Sequence, residues 1–339
     1  MMSDYKQSLT ELAMMAKKAM IMGVGGGGDV ILGVPLGNYL RLLGTDKIYL
    51  GGVSSQWWNP AGGSHLENFV LAPLVYDVAQ LENAELLQPM LSHVNPGSTF
   101  DGNRPAEAAV SAVVPWDILI GGLSDGVVGL RDSLNEFIKE EGIDLFIGAD
   151  IGAHSFHDGK ETSPPFTTLV SLMSLSAMIQ LNCPTVYGFA GYTVDAEMEI
   201  EELDERVGRI MQAGGFLGAY GLTQKDVHDY LKACEAFPDP IEPLVARAAQ
   251  GDLGLKQVPV ISPWGRRAYL TPLSAIYLFL DPKIMVEAVS TCVKALMDTK
   301  SMEEAESIYH EVVGLFPETW APRVINYVGK RGSANLHQE

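Results

Sequence analysis

The sequence predicts an α/β fold: a Rossmann-like, doubly wound, mostly parallel sheet with a helical insert and C-terminal helices. Three observations lead there. Short apolar runs recur at Ala19 to Val24, Lys47 to Val53, Asp117 to Gly121, Ile143 to Ala149 and Thr185 to Ala190. The last two are almost continuously apolar, as in strands buried on both faces. Helix-length segments lie between most of these runs, which implies parallel strands joined by crossovers. The first run opens into Gly25-Gly26-Gly27-Gly28-Asp29 and then a second apolar segment, the order of a strand, a tight glycine loop and a helix.

In chain order, Met1 to Lys18 is amphipathic and too charged throughout for a secretory signal, and Leu9 to Lys18 within it is a lead-in helix. The first strand, the glycine loop and a helix over Val30 to Leu43 follow, with Gly44 as the helix stop. After the strand at Lys47 to Val53 comes a long irregular stretch containing Trp57 and Trp58, with a short strand near Phe69 to Val75. Asp117 to Gly121 leads through Ser124-Asp125-Gly126 into a helix over Val127 to Glu140. The run at Ile143 ends on Asp150, and Thr162 or Ser163 can cap a helix that reaches Leu181. Residues 1–194 thus form the α/β core with its glycine loop. Residues 195–255 are acidic and helical, an insert or cap. Residues 256–330 return to the core and add C-terminal helices, and 331–339 are a polar tail.

At 339 residues the chain can bury a sizeable core, and its 47% hydrophobic and 19% charged content is ordinary for a globular protein. A net charge of −19 argues against binding nucleic acid or anionic membranes, which need basic patches. Three scattered cysteines form neither a disulfide framework nor a zinc signature and suit a cytoplasmic location. Thr162 to Val194 carries no charge, but its prolines and polar residues fit a buried helix and strand better than a membrane span. Homo-oligomer formation stays open.

Glycines let the backbone of Gly25, Gly26, Gly27 and Gly28 approach a ligand, and a helix N-terminus favours an anion such as phosphate. The alternative is a turn that merely lets helix and strand pack closely. Asp29 complicates the anion reading, because a carboxylate beside a phosphate repels it unless a metal, a sugar hydroxyl or a base stands between. Gly23, Gly25 and Gly28 satisfy G-x-G-x-x-G, yet the acid that would hold a ribose after the second strand is absent from Gly51 to Ser54. NAD(P) is therefore the less favoured cofactor.

Ligands of open parallel sheets bind beyond the carboxyl ends of the strands. That rule brings Asp125 and Gly126, Gly152 and Asp150 to the same edge as the glycine loop. The loop Asp150 to Glu161 is the richest in reactive groups. Asp150 and Glu161, with Asp29, are the candidate catalytic carboxylates, and His154, His157 and Asp158 are the candidate ligands of a divalent metal. A polar surface turn with capping acids is the alternative there. Asp195 and Glu197 either complete the pocket or open the acidic helix. Ser163 is a further ligand-binding candidate, and Arg267, beside Arg266, offers a counter-charge for an anion. No nucleophile motif is present.

Several of these motifs recur together: Gly25 to Val30, Asp150-x-Gly152, Gly159-x-Glu161-x-Ser163-Pro164, Asp195-x-Glu197, and Arg266-Arg267 before Leu270-Thr271-Pro272. The set resembles a family classed as a domain of unknown function (family 1152), found largely in archaea and also in bacteria. The resemblance spans nearly the whole chain and implies a Rossmann-like architecture, with no reaction attached. Relatives tend to show Gly-Gly-Asp where this chain has Gly152-Ala153-His154, and Asp-Gly-Glu-Leu where it has Asp195-Ala196-Glu197-Met198; the first exchange argues against a family-wide metal role at 154 or else marks a different substrate. The sequence thus leads to an enzyme of hydrolase or transferase type acting on a small phosphorylated or nucleotide-like, anionic molecule. A non-catalytic metabolite sensor and an NAD(P)-dependent oxidoreductase are the alternatives.

Overall fold

The computed structural model describes residues 6–58, 72–161, 168–239, 241–257, 267–315 and 317–320. Ser163, Arg266 and the tail 331–339 lie outside the described residues, as do the side chains of Trp57 and Trp58.

Thirteen strands are described: β1 (Lys18–Gly23), β2 (Lys47–Val53), β3 (Ser55–Trp58), β4 (Ala72–Val75), β5 (Glu85–Gln88), β6 (Leu91–Val94), β7 (Asp117–Gly121), β8 (Leu145–Ile151), β9 (Thr185–Ala190), β10 (Phe216–Gly221), β11 (Gly254–Lys256), β12 (Ala268–Leu270) and β13 (Ile276–Leu280). Nine of them form one sheet in the order β10-β13-β9-β8-β1-β2-β7-β6-β5. Its centre, β9 through β7, is parallel, and the two strands added on each flank pair antiparallel. In chain order the five central strands are arranged 3-2-1-4-5, the order of a Rossmann sheet without its sixth strand, with the reversal between β1 and β8.

The helices are α1 (Leu9–Met15), α2 (Gly33–Leu43), α3 (Ala106–Val110), α4 (Gly126–Glu141), α5 (Leu169–Met178), α6 (Ile200–Gln212), α7 (Gln224–Ala236), α8 (Pro243–Ala249), α9 (Pro282–Ala288), α10 (Val293–Leu296) and α11 (Met302–Val313). They cover both faces. Ile21, Leu50, Ile118 and Ile147 join one core with α1, α2, α7 and α8, while Met20, Met22, Leu119 and Phe146 join the other with α4, α5, α9 and α11. Neighbouring residues of one strand serve opposite faces, as the period of two requires.

Helix α2 starts later than its apolar pattern suggests. Gly27–Leu32 forms a 3-10 turn first, and α geometry begins at Gly33. That start puts Pro35 in the first helical turn, where its missing amide removes no internal hydrogen bond. The helix ends as expected, with Gly44 at φ 98°. The uncharged stretch up to Val194 resolves into α5, buried all round, and β9. Among the described residues no helix is long and apolar enough to cross a membrane. The reading of 195–255 as helical misses β10, an edge strand of the main sheet. Its exposure does not alternate cleanly and Gly218 interrupts it with a register shift, so it carries little strand signal.

Candidate functional site

The site is built at the β1/β8 reversal. Hydrogen bonding from β8 continues past β1, the amide of Val24 donating to the Ala149 carbonyl at 2.9 Å, and the chain then turns through the glycines. The Asp29 carboxylate folds back over this turn and its Oδ2 accepts from the Gly25 amide at 2.5 Å. The Asp29 amide donates to the Gly26 carbonyl at 3.2 Å. Among the described residues the amides of Gly26, Gly27 and Gly28 meet no acceptor. A methyl on Gly26, at φ 78°, would also strike Ser55.

Asp150, the penultimate residue of β8, is fully buried and held from three sides. Its Oδ2 accepts from Ser155 Oγ at 2.5 Å and Tyr187 Oη at 2.7 Å, and its Oδ1 from the Ile151 amide at 3.0 Å. His154, in a short 3-10 turn just beyond, sits among three carboxylates. Its Nδ1 is 3.8 Å from Asp150 Oδ1, and its Nε2 is 3.6 Å from Asp195 Oδ2 and 3.5 Å from Glu197 Oε1. Burial alone would lower the basicity of this ring, but Glu197, Asp150 and Asp195 outweigh it and hold the imidazolium well above its ordinary range. Asp29 is pushed well above the usual carboxylate range, first by burial and then by the Asp150 charge.

Asp195 and Glu197 precede the N-cap of α6, which is Glu199, and turn inward instead of capping that helix. Asp195 Oδ2 accepts from the Ala153 amide at 2.7 Å and lies so close over Gly152 that a methyl there would come within 2.0 Å of it. Gly152 is also at φ 71°. Thr193 and Ala196 on either side of Asp195 take φ 66° and 52°, conformations that cost a non-glycine residue roughly 1 kcal/mol or more. Backbone strain is thus concentrated around a carboxylate that bridges the β8 and β9 loops.

The structure separates what the sequence grouped within the Asp150 to Glu161 loop. His154 faces the crevice, but His157, Asp158 and Glu161 form a second cluster with Arg206 of α6. Arg206 Nη2 contacts Glu161 Oε1 at 2.9 Å and Asp158 Oδ1 at 3.4 Å, and its Nη1 donates to the Phe156 carbonyl at 2.7 Å. Glu161 also accepts from the amides of Asp158 and Gly159 and lies 3.5 Å from His157 Nδ1. Burial would raise its carboxyl, yet His157 and these amides outweigh that and hold it down at about 2. Glu161 therefore works as a loop staple, and His154, His157 and Asp158 do not converge on a common point. Among the described residues no group of three histidine, cysteine or acidic side chains is disposed to hold a metal.

The Asp125-Gly126 turn reaches the same sheet edge but is closed. The amides of Val127 and Val128 donate to Thr299 Oγ1 and to the Thr299 carbonyl at 3.2 and 3.0 Å, and Gly126 packs against that backbone at φ 65°. Arg267 is exposed, two residues before Tyr269, whose carbonyl accepts from Thr193 Oγ1 at 2.7 Å; it borders the Asp195 loop.

Two crevice residues escaped the sequence reading. Glu242, at the N-cap of α8, is buried against the glycine loop, and a methyl on Gly28 would meet its Oε1 at 2.2 Å. Burial and then Asp239 push its carboxyl well above the usual range. Ser171 of α5 reaches the loop from the other side. Pro243 marks Glu242 as a helix start, but nothing local ties either residue to Gly25.

No curated protein and no solved structure matches the chain. Residues 20–318 match the family described as "Protein of unknown function (DUF1152)", a span that takes in every strand of the main sheet except the first two residues of β1, and every residue of the crevice. The chain belongs to this family of proteins of unknown function.

Proposed function

We propose that this protein is an enzyme of hydrolase or transferase type that acts on a small phosphorylated or nucleotide-like metabolite in the β1/β8 crevice. One observation carries the reading: the buried carboxylates of Asp29 and Asp150 and the partly buried His154 are brought together beside glycine amides that the described residues leave unengaged. The amides of Gly26 to Gly28 suit the anionic part of the ligand, in line with anion binding at helix N-termini. His154, oriented by Asp150, Asp195 and Glu197, is the group placed to move a proton to or from the reacting oxygen. Ser155 and Tyr187 position Asp150. Glu161 supports the loop from behind and touches none of these groups. Free cysteines throughout the described chain agree with a cytoplasmic setting.

The test is a panel of phosphorylated metabolites and nucleotides, read first by thermal shift and then by product formation. Asp150→Asn should cut turnover by about 10²- to 10⁴-fold while leaving circular dichroism unchanged. Full activity in a folded Asp150→Asn protein would remove the assignment. Tight binding without conversion would move the reading to a sensor.

A further inference from the structure

Gly25 is unlike its neighbours. Gly26 and Gly27 have positive φ, and Gly25 does not, so no left-handed backbone excludes a side chain there. Space is what excludes a side chain there. A Cβ built on Gly25 would stand 2.5 Å from Asp29 Oδ2, 3.0 Å from Ser171 Oγ and 3.3 Å from Asp150 Oδ1. Three oxygens from three elements of the fold therefore surround one point. Two belong to carboxylates that are themselves buried. The third, Ser171 Oγ, is fully buried and has no hydrogen-bond partner among the described residues, although a serine inside a helix can bond its own backbone. Leaving a buried hydroxyl without a partner is unfavourable, and a ligand at that point would relieve it.

We propose that the space beside Gly25 is a divalent cation site with Asp29, Asp150 and Ser171 as its oxygen donors. Magnesium is held at about 2.0–2.1 Å by one or two carboxylates plus waters and substrate phosphate, and the donor set here is of that kind. A group of three acidic or histidine ligands is not required. The cation also answers the difficulty Asp29 poses for the glycine loop: it stands between the carboxylate and an anionic ligand, and binds both. For that role the inference rests on the ligand reading above; the site itself rests on the geometry alone.

Titration of the full-length protein with Mn²⁺, followed by electron paramagnetic resonance, tests this. The wild type should take up Mn²⁺ at a single site from which Mg²⁺ competes it. Asp29→Asn and Ser171→Ala should each weaken binding by about tenfold or more. Ser171→Ala loses only a partnerless hydroxyl and keeps the test valid if Asp29→Asn does not fold. Asp158→Asn, on the Arg206 side of the loop, should bind as the wild type does. No specific Mn²⁺ uptake, or equal uptake by the wild type and Ser171→Ala, overturns the cation site. Metabolite stabilisation measured in EDTA separates the two claims, since ligand binding that persists there leaves the crevice reading standing without the cation.

Discussion

Two glycine turns leave the same edge of the sheet, each joining a parallel strand to a helix, and they end in opposite states. After β7, the turn at Asp125-Gly126 is filled by the protein's own chain: Thr299 takes the amides of Val127 and Val128. After β1, the turn at Gly25 to Asp29 is ringed by Asp29, Asp150, Glu242 and Ser171, and among the described residues three of its amides meet no acceptor. Helix α5 follows the first pattern, since Glu318 accepts from the amides of Leu169 and Val170 at 3.0 and 2.8 Å. A strand–glycine–helix turn can therefore serve a ligand only where the rest of the fold leaves its donors open. The carboxyl-terminal segment closes two of these helix starts and spares the third.

Exchanging the two glycines breaks the comparison most directly. Gly126→Ala puts a methyl at positive φ, 2.5 Å from the Thr299 carbonyl oxygen, and should cost about 2–4 kcal/mol in urea unfolding while a ligand still raises the melting temperature. Gly25→Ala keeps an allowed backbone but fills the three-oxygen cradle, and should abolish ligand- and Mn²⁺-induced stabilisation with a smaller loss of stability. Loss of ligand response in Gly126→Ala, with Gly25→Ala unaffected, would reverse the assignment.

A smaller effect separates the two halves of the Asp150 to Glu161 loop. The folded Glu161 carboxyl, at about 2, lies below its ordinary 4.5. Its contribution is therefore complete above pH 4.5 and is lost as pH falls toward 2. Glu161→Gln should flatten that limb of the stability–pH curve by about 1 kcal/mol, a value discounted for partial exposure of the loop. Catalysis near neutral pH should be little changed. A large loss of turnover in a stable Glu161→Gln protein would return Glu161 to the reaction.

Much of the frame was legible because each central strand is a short apolar run with a break at its end. β2, β7 and β9 fall where those runs lie, and β1 and β8 fall within one or two residues of them. The place of Asp150 was legible too, as the first charge after a buried apolar run, although the strand itself continues to Ile151. β10 was not, because an edge strand with Gly218 in it has neither alternation nor apolar continuity. The division of the 150–161 loop was equally hidden. Spacing places His154 and His157 three residues apart, but only the partners on α6 and on the β9 loop decide that one faces the crevice and the other Glu161. Glu242 and Ser171 reach Gly25 to Gly28 from helices more than 140 residues away, and no local pattern reports such contacts.

Hydrogen–deuterium exchange with any metabolite that stabilises the protein is the most direct measurement. Binding in the β1/β8 crevice predicts slowed exchange over residues 25–33 and 150–155, with residues 126–130 unchanged. Protection at 126–130 without any at 25–33 would contradict the account.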